Sequence, residues 1–404
     1  MEKVYIVGAK RTPIGSFLGS LKDVSAGDLG SIAIKAALEE SNVHLNDVDE
    51  VLMGNVLSAG QGQGIARQTA IKAGLGVRVP ATALNIACGS GMKAVMNAVQ
   101  AIRAEDAHVI VAGGVESMSQ TPHLIPGRNR SGHKMGSFEV VDHMLHDGLT
   151  DAFEGYHMGV TAENIVEKYQ ITREEQDQFA FESQQKAIAA VDAGKFKAEI
   201  AAVEVTNRKG TVVVDQDEYP NRQTNLDKLA QLRPAFKKGG SVTAGNASGI
   251  NDGASATVVV SESYLKNHNL QPLVEIVAVA QAGVDPSVMG LGPTPAVEKV
   301  LDKAQLTLAD VDVIELNEAF ASQALGVIHE LSERCAIDKT ELMAKTNLNG
   351  GAIALGHPIG ASGNRIIVTL IHLMKEKKAK YGLATLCIGG GMGTAIILKN
   401  PTID

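Results

Sequence analysis

The sequence predicts an α/β protein with mostly parallel, buried sheets, built from two similar halves. Predicted strands alternate with predicted helices in each half, as in sheets whose strands are joined by covering helices. Three pairs of segments also recur in the same order, which favours an internal duplication. The pairs are residues 45–55 with 308–318, 89–91 with 361–363, and 110–114 with 386–390. We expect a cleft where the two halves meet.

The length of the chain and changes in composition along it predict the domain organisation. A chain of 404 residues is longer than the chains that usually pack around a single hydrophobic core, so two or three domains are expected. We assign residues 1–119 to an N-terminal half that is completed by about residues 250–270. Residues 120–249 are richer in charge and polar turns, which indicates an inserted domain, and residues 271–404 form the C-terminal half.

The inserted segment contains one clear helix start and a concentration of basic residues. Thr172 and Glu175 have the spacing of a capping box, and the predicted helix runs through Phe179 and Ala187. The basic residues are Lys195, Lys197, Arg208, Lys209, Arg222, Lys228, Arg233, Lys237 and Lys238. Most charge runs are solvated surfaces, but a local basic patch in an acidic protein also suits phosphate groups.

The first of three glycine-rich loops places Cys88 before a predicted buried helix. Apolar residues from Met92 to Ile102 follow at helical spacing, with alanines over much of the remaining circumference. Unpaired N–H groups at a helix start can lower the usual thiol pKa of about 8.5. Most lone cysteines are small core residues, but Gly89 and Gly91 favour a backbone that approaches a ligand. We therefore interpret Cys88 as a nucleophile.

The second loop, residues 349–363, carries His357 between two glycine runs and before another predicted helix. An imidazole there can accept a proton from a nearby thiol near neutral pH, as general-base catalysis requires. A histidine beside a proline is more often structural, so the residues alone leave both roles open.

The third loop, residues 387–394, places Cys387 at the end of an apolar run that predicts a buried strand. Glycines at 389–391 leave N–H groups free to hold an oxyanion. Together, the three loops supply side chains suited to thioester chemistry. Cys335 has charged neighbours and no glycine beside it, so we regard it as incidental.

Metal sites and disulfides are the alternative uses of cysteine. Two cysteines and a histidine could bind zinc, but the chain has no Cys-x-x-Cys or His-x-x-x-His spacing. Each candidate also lies on a separate loop, so no metal is expected. Three cysteines in 404 residues, without a signal peptide, fit a reducing compartment.

The charge and hydropathy patterns limit the partners and the compartment. A formal charge of −8 disfavours nucleic acid and anionic membranes. No apolar run of about 18 residues occurs, as a membrane-spanning helix would need. The chain enters a predicted strand at once, and residues 400–404 are not a peroxisomal address. We expect a cytoplasmic protein.

These motifs together resemble the thiolase family, most closely its biosynthetic, acetoacetyl-CoA-forming members. The matching segments follow the family order over nearly the full length. They are residues 11–15, 85–91, 113–119, 147–153, 243–248, 317–321, 349–363 and 387–394. The resemblance implies the thiolase fold: two duplicated βαβ-type halves in α-β-α-β-α layers, with an inserted loop domain that binds coenzyme A.

The resemblance also implies a ping-pong Claisen condensation of two acetyl-CoA molecules. Cys88, activated by His357, would become acetylated, and Cys387 would deprotonate the methyl group of the second acetyl-CoA. One oxyanion site would combine His357 with a water held by Asn317. The other would use the backbone N–H groups of Cys88 and Gly389. Acetyl-CoA and acetoacetyl-CoA would be the ligands, with no further cofactor.

Further positions are implied to bind coenzyme A. The pantetheine and adenine contacts would be Leu149, His157, Met158, Phe236, Ala244, Ser248, Ala319 and Phe320. Family members often have a basic residue at position 221 and a serine at 228, where this chain has Asn221 and Lys228. Arg222 or Lys228 could therefore hold the phosphates instead. The stretch from Cys335 to Lys345 is longer than the usual link.

Two other functions are alternatives to the synthesis of acetoacetyl-CoA. The near rival is a degradative 3-ketoacyl-CoA thiolase for longer chains. The resemblance favours the short substrate, because acetoacetyl-specific members have a methionine like Met135 in the equivalent loop. The distant rival is a non-catalytic acyl-CoA carrier, which would not need all three reactive side chains. The resemblance implies a homotetramer built of dimers.

Overall fold

The computed structural model describes residues 2–208 and 210–403; Met1, Lys209 and Asp404 lie outside it. The strands are β1 Val4–Arg11, β2 Gly15–Ser16, β3 Glu50–Gly54, β4 Ala81–Leu84, β5 Val109–Ser117, β6 His123–Leu124, β7 Val141–Asp142, β8 Val203–Asn207, β9 Gly210–Val214, β10 Asn251–Ser261, β11 Val274–Gly283, β12 Val313–Leu316, β13 Tyr381–Ile388 and β14 Met392–Lys399.

The helices alternate with these strands in both halves. They are α1 Ala26–Ser41, α2 Ile65–Lys72, α3 Ser90–Arg103, α4 Met158–Tyr169, α5 Arg173–Asp192, α6 Leu226–Ala230, α7 Glu262–Asn267, α8 Pro293–Ala304, α9 Ala321–Arg334, α10 Lys339–Ala344, α11 Ala352–Leu355 and α12 Ile359–Lys377. The capping box of Thr172 and Glu175 is present at the start of α5, as predicted. The long stretch after Cys335 contains α10.

The main sheet of the described chain has ten strands in two half-sheets. Its order is β12-β13-β14-β11-β1-β10-β5-β3-β4, with β2 against β10. Strands β1 and β11 join the halves at only two residue pairs, Tyr5 with Glu275 and Ile6 with Val274. The hairpins β6–β7 and β8–β9 lie outside this sheet.

The two half-sheets repeat one topology, which supports the predicted duplication. The order β3-β5-β10-β1 in the first half corresponds to β12-β13-β14-β11 in the second. In each, the first pair is parallel and the next two are antiparallel. The prediction of mostly parallel sheets is therefore wrong. Strands β10 and β14 run back beside β5 and β13, and such antiparallel neighbours need no helical crossover.

One connection differs greatly in length between the halves. Residues 389–391 turn directly from β13 into β14, whereas residues 118–250 connect β5 to β10. The long connection contains β6 to β9 and α4 to α6. The flanking strands end at Ser117 and begin at Asn251. That residues 120–249 form an inserted domain remains a prediction.

The helices pack on the sheet through three hydrophobic clusters and form layers with it. Val4 and Ile6 of β1 pack with α3 and α12, whereas Tyr5 and Val7 pack with α1. In the second half, α8 packs against β11 and β14. The layers are therefore α-β-α-β-α, as the resemblance implies.

The central helices α3 and α12 cross closely at two glycines. A Cβ on Gly91 would lie 2.8 Å from the backbone nitrogen of Asn364, and one on Gly363 would lie 2.6 Å from that of Met92. Both contacts are too short for any side chain. Gly91 therefore serves helix packing, and its interpretation as ligand-facing backbone is wrong.

Candidate active site

A tight turn presents Cys88 immediately before α3. Ala87 adopts a left-handed backbone conformation with φ of 49°, a region that non-glycine residues rarely occupy. The Ser90 hydroxyl donates to the Ala87 carbonyl at 2.6 Å and accepts the Ile86 N–H at 2.9 Å. These bonds hold the turn, and Gly89 is the N-cap of α3. The sequence-based placement of Cys88 before a buried helix is confirmed.

One cavity of about 440 Å³ brings the three predicted reactive side chains together. Cys88, His357 and Cys387 all line it, and so does Gly389. The other predicted residues in its wall are Leu149, His157, Met158, Phe236, Ala244, Ser248, Ala319 and Phe320. The wall is largely apolar, and the rings of His157 and Phe236 stack with centroids 4.6 Å apart. The cavity can therefore hold an apolar chain against two sulfurs and an imidazole.

The thiol of Cys88 is protonated in the free protein. Burial raises its pKa to about 11, although the backbone N–H groups of Gly389 and of Cys88 itself favour the thiolate. The lowered pKa predicted from the helix start is wrong, because desolvation of the thiolate outweighs these donors. Cys88 thus needs a base when it reacts.

His357 lines the same cavity as Cys88. Its side chain is buried, Nδ1 lies 2.6 Å from Ser362 Oγ, and Nε2 has no hydrogen-bond partner within the described chain. Burial, helped by the positive charge of Arg365, lowers the pKa of His357 to about 3. The imidazole is therefore neutral at physiological pH, and one ring nitrogen remains available.

Cys387 lies in the buried strand β13, one residue before its end at Ile388, which confirms the predicted strand. Burial raises the pKa of its thiol well above the ordinary range, and the neighbouring Cys88 raises it further because two thiolates would repel each other. Gly390 and Gly391, each with φ of 86°, then turn the chain into β14. A thiolate formed at Cys387 would be a strong base.

Asn317 follows β12 and is completely buried, but it does not line the cavity. Neither its amide nitrogen nor its amide oxygen has a partner among the described residues. Asn55 occupies the equivalent place after β3, and its amide nitrogen donates to Val115 O and Glu116 Oε1, each at 3.1 Å. Buried polar groups are normally paired, so the Asn317 amide is suited to hold a further group.

The sequence matches two protein-family models. The model described as "Thiolase, N-terminal domain" matches residues 4–263, and the one described as "Thiolase, C-terminal domain" matches residues 270–400. The chain belongs to the thiolase family. Proteins named acetyl-CoA acetyltransferase from Chromobacterium violaceum and Escherichia coli are 54% and 52% identical to it. Each alignment covers 99% of this chain and at least 99% of the relative.

Solved thiolase structures agree with this assignment. The acetyl-CoA acetyltransferase of Syntrophomonas wolfei superposes with a TM-score of 0.96 at 45% identity, covering 99% of this chain and 100% of that one. Human mitochondrial 3-ketoacyl-CoA thiolase gives a TM-score of 0.93 at 44% identity, covering 99% of both chains. The thiolase fold is thereby confirmed.

A second cavity of about 750 Å³ adjoins the thiolase site. The two share Ser16, Tyr219 and Ala244 as lining residues. Arg222 and Lys228, which we expect to hold the phosphates, line the second one. Arg222 forms an ion pair with Asp192 at 2.5 Å, and Lys228 Nζ donates to Gln223 O at 3.0 Å. Lys209 of the predicted basic set lies outside the described residues.

The structure does not bring Met135 into the site. Its side chain is 89% exposed and lies in the segment between β6 and β7. The sequence analysis also missed several side chains of the cavity wall, among them the large ones of Phe17, Met118, Tyr219 and Met289. Met289 begins a fourth glycine-rich loop, Met289-Gly290-Leu291-Gly292, directly before α8. That loop resembles the three that were recognised, so the same signal could have found it.

Two features are absent from residues 2–208 and 210–403. These residues contain no group of three or more His, Cys, Asp or Glu side chains placed to hold a metal ion. They also contain no helix with the length and apolar character needed to cross a membrane.

Proposed function

We propose that this thiolase is an acetyl-CoA C-acetyltransferase that reversibly condenses two acetyl-CoA molecules to acetoacetyl-CoA and coenzyme A. The observation that carries the proposal is the shared cavity of Cys88, His357 and Cys387. Its apolar wall suits the pantetheine arm, and the adjoining cavity with Arg222 and Lys228 suits the phosphates. The names of relatives above 50% identity support the same activity.

In the first half-reaction, His357 Nε2 takes the proton of Cys88 while the sulfur attacks the acetyl carbonyl. Coenzyme A leaves as a thiolate and takes the proton of Cys387. The enzyme then carries an acetyl group on Cys88, a proton on His357 and a thiolate at Cys387. The resting pKa values support transfer during attack, because neither thiol is ionised beforehand.

In the second half-reaction, the Cys387 thiolate removes a methyl proton from a second acetyl-CoA. The resulting carbanion attacks the acetyl group on Cys88, and the Cys88 sulfur leaves and recovers its proton from His357. Every proton is thus returned, and the step requires no metal or redox cofactor. Burial makes the Cys387 thiolate more basic, which suits a weak carbon acid.

Negative charge on the thioester oxygens is stabilised at two places. The N–H groups of Cys88 and Gly389 would hold the oxygen of the acetyl group on Cys88. Asn317, through a bound water, would act on the oxygen of the second acetyl-CoA together with His357, whose Nε2 carries a proton after the first half-reaction. Such preplaced donors are effective because they need no reorganisation during the reaction.

The rival proposals differ in substrate and in chemistry. A degradative 3-ketoacyl-CoA thiolase would have the same fold, as the human mitochondrial enzyme illustrates, so chain length must be measured. We expect thiolysis of acetoacetyl-CoA to be much faster than that of 3-ketodecanoyl-CoA. Equal rates would contradict the short-chain proposal. A carrier would bind both thioesters and release no coenzyme A.

We further propose a cytoplasmic homotetramer that binds neither nucleic acid nor membranes. The exposed apolar side chains Ile125, Met135, Phe138 and Val140 lie within or beside the β6–β7 segment and support a subunit contact there. Met135 would act on the substrate only through such a contact. Sedimentation of the purified protein should give four times the chain mass of 42.3 kDa, and a monomer would contradict the assembly.

A further inference from the structure

Ser362, in the first turn of α12, is the one described side chain bonded to the imidazole of His357. Its side chain is 1% exposed. Its Oγ lies 2.6 Å from His357 Nδ1 and 3.0 Å from the Pro358 carbonyl oxygen. Ser362 is thus placed between a ring nitrogen that can donate or accept and a carbonyl that can only accept.

The direction in which the Ser362 hydroxyl donates its hydrogen decides whether Nδ1 of His357 is protonated. A serine has one hydrogen to donate, and the Pro358 carbonyl can use it only as an acceptor. If Ser362 donates there, its oxygen is left to accept from Nδ1, which must then carry the proton of the neutral ring. Nε2, without a partner among the described residues, would then have a free lone pair.

The equivalent serine of the other half shows the same arrangement with an unambiguous donor. Ser90 begins α3 as Ser362 lies at the start of α12, and its hydroxyl donates to Ala87 O at 2.6 Å. Its oxygen accepts from Ile86 N–H at 2.9 Å, and a backbone N–H can only donate. In each half the same carbonyl also receives the serine's own N–H, at 3.0 Å.

We propose that Ser362 is a positioning residue that keeps His357 in the tautomer protonated at Nδ1, so that Nε2 faces the cavity as a proton acceptor. The tautomer is inferred from the two contacts of the Ser362 hydroxyl, and its catalytic consequence rests on the proposed function. The opposite tautomer would place the ring hydrogen on Nε2 and would leave no atom to take the Cys88 proton.

The test is nitrogen NMR of protein labelled with ¹⁵N-histidine, together with steady-state kinetics. The His357 signals are assigned by their loss in His357→Gln. We expect wild-type protein at pH 7 to show a protonated Nδ1 and a bare Nε2. We expect Ser362→Ala to populate the opposite tautomer and to lower kcat about 10- to 100-fold, by analogy with groups that orient histidines at metal sites. KM should change little.

Ser255→Ala is the matched control, because the buried Ser255 hydroxyl donates to Ala361 O at 3.0 Å, in the same helix turn, without touching His357. It should keep the wild-type tautomer and kcat, and Ser362→Thr should keep the tautomer. A wild-type Nε2–H signal, or a Ser362→Ala protein with unchanged tautomer and kcat, would overturn the proposal. The wild-type spectrum decides the tautomer even if Ser362→Ala does not fold. Wild-type protein without acetyl transfer would contradict the function alone.

Discussion

The two halves share one strand order, but they differ in the connection between equivalent strands, β5 to β10 and β13 to β14. In the second half this connection is the short turn at residues 389–391, whose first N–H lies against the Cys88 sulfur. In the first half it is residues 118–250, which supply Leu149, Met158 and Phe236 to the cavity wall. One copy of the connection therefore places an N–H group against the Cys88 sulfur, and the other supplies part of the cavity wall.

The halves also differ in how completely equivalent polar side chains are paired. Asn55 has two partners for its amide nitrogen, whereas Asn317 has none for either amide atom. Ser90 bonds only backbone groups, whereas Ser362 bonds the imidazole. In each pair, the first-half residue bonds backbone or carboxylate groups, whereas the second-half residue has unpaired amide atoms or bonds the imidazole.

The largest expected effect separates the cysteines of the two halves. Cys88→Ala should abolish both condensation and acetyl labelling, because no sulfur remains to carry the acetyl group. Cys387→Ala should still become acetylated, but it should not condense, since no base is left for the methyl proton. Mass spectrometry after mixing with acetyl-CoA measures the label. Acetylation of Cys88→Ala at normal yield would contradict the assignment.

The next effect distinguishes the two equivalent asparagines. Asn317→Ala should lower kcat by about 100- to 1,000-fold, the usual loss for one oxyanion donor, with little loss of stability. Asn55→Ala should instead lower the free energy of unfolding by about 1–3 kcal/mol, because it leaves the buried Glu116 carboxylate short of a donor. Kinetics and urea unfolding of both variants check the contrast. Similar losses in both quantities would remove the proposed division between the halves.

His357, which belongs to the second half, should make the free energy of unfolding depend on pH. Its folded pKa of about 3 lies below the ordinary value of 6.5, so protons bind the unfolded state more tightly between these values. Stability should therefore fall as the pH drops below 6.5, by about 1.4 kcal/mol per pH unit from this group. Urea unfolding at pH 7.5 and pH 5 measures it. His357→Gln should lack this component, and parallel pH slopes for both proteins would contradict the buried neutral imidazole.

The smallest expected effect concerns the long connection of the first half. Lys228→Ala should raise the KM for acetyl-CoA several-fold and leave kcat unchanged, because it removes a charge from the phosphate end only. The effect should shrink in high salt, where exposed charges are screened. Lys238→Ala is the control, since Lys238 is a nearby exposed lysine that does not line the second cavity. Equal effects of both variants would indicate a general charge effect.

Much of this arrangement could be predicted from the sequence, because glycine loops, helix periodicity and the repeated segments are local signals. The duplication was found in this way, and so were the three candidate side chains that line one cavity. The pKa of Cys88 could not be, since it depends on burial by residues distant in the chain. Gly91 was misinterpreted because a missing side chain serves a helix crossing and a ligand equally well. The exposure of Met135 likewise depends on how its segment folds outside the sheet.

A crystal structure of the protein trapped with acetyl-CoA tests the central claim most directly. We predict an acetyl group on Cys88 Sγ, its oxygen facing the N–H groups of Cys88 and Gly389, with His357 Nε2 and Cys387 Sγ beside it. An acetyl group on another residue, or coenzyme A bound away from the cavity of about 440 Å³, would contradict the account.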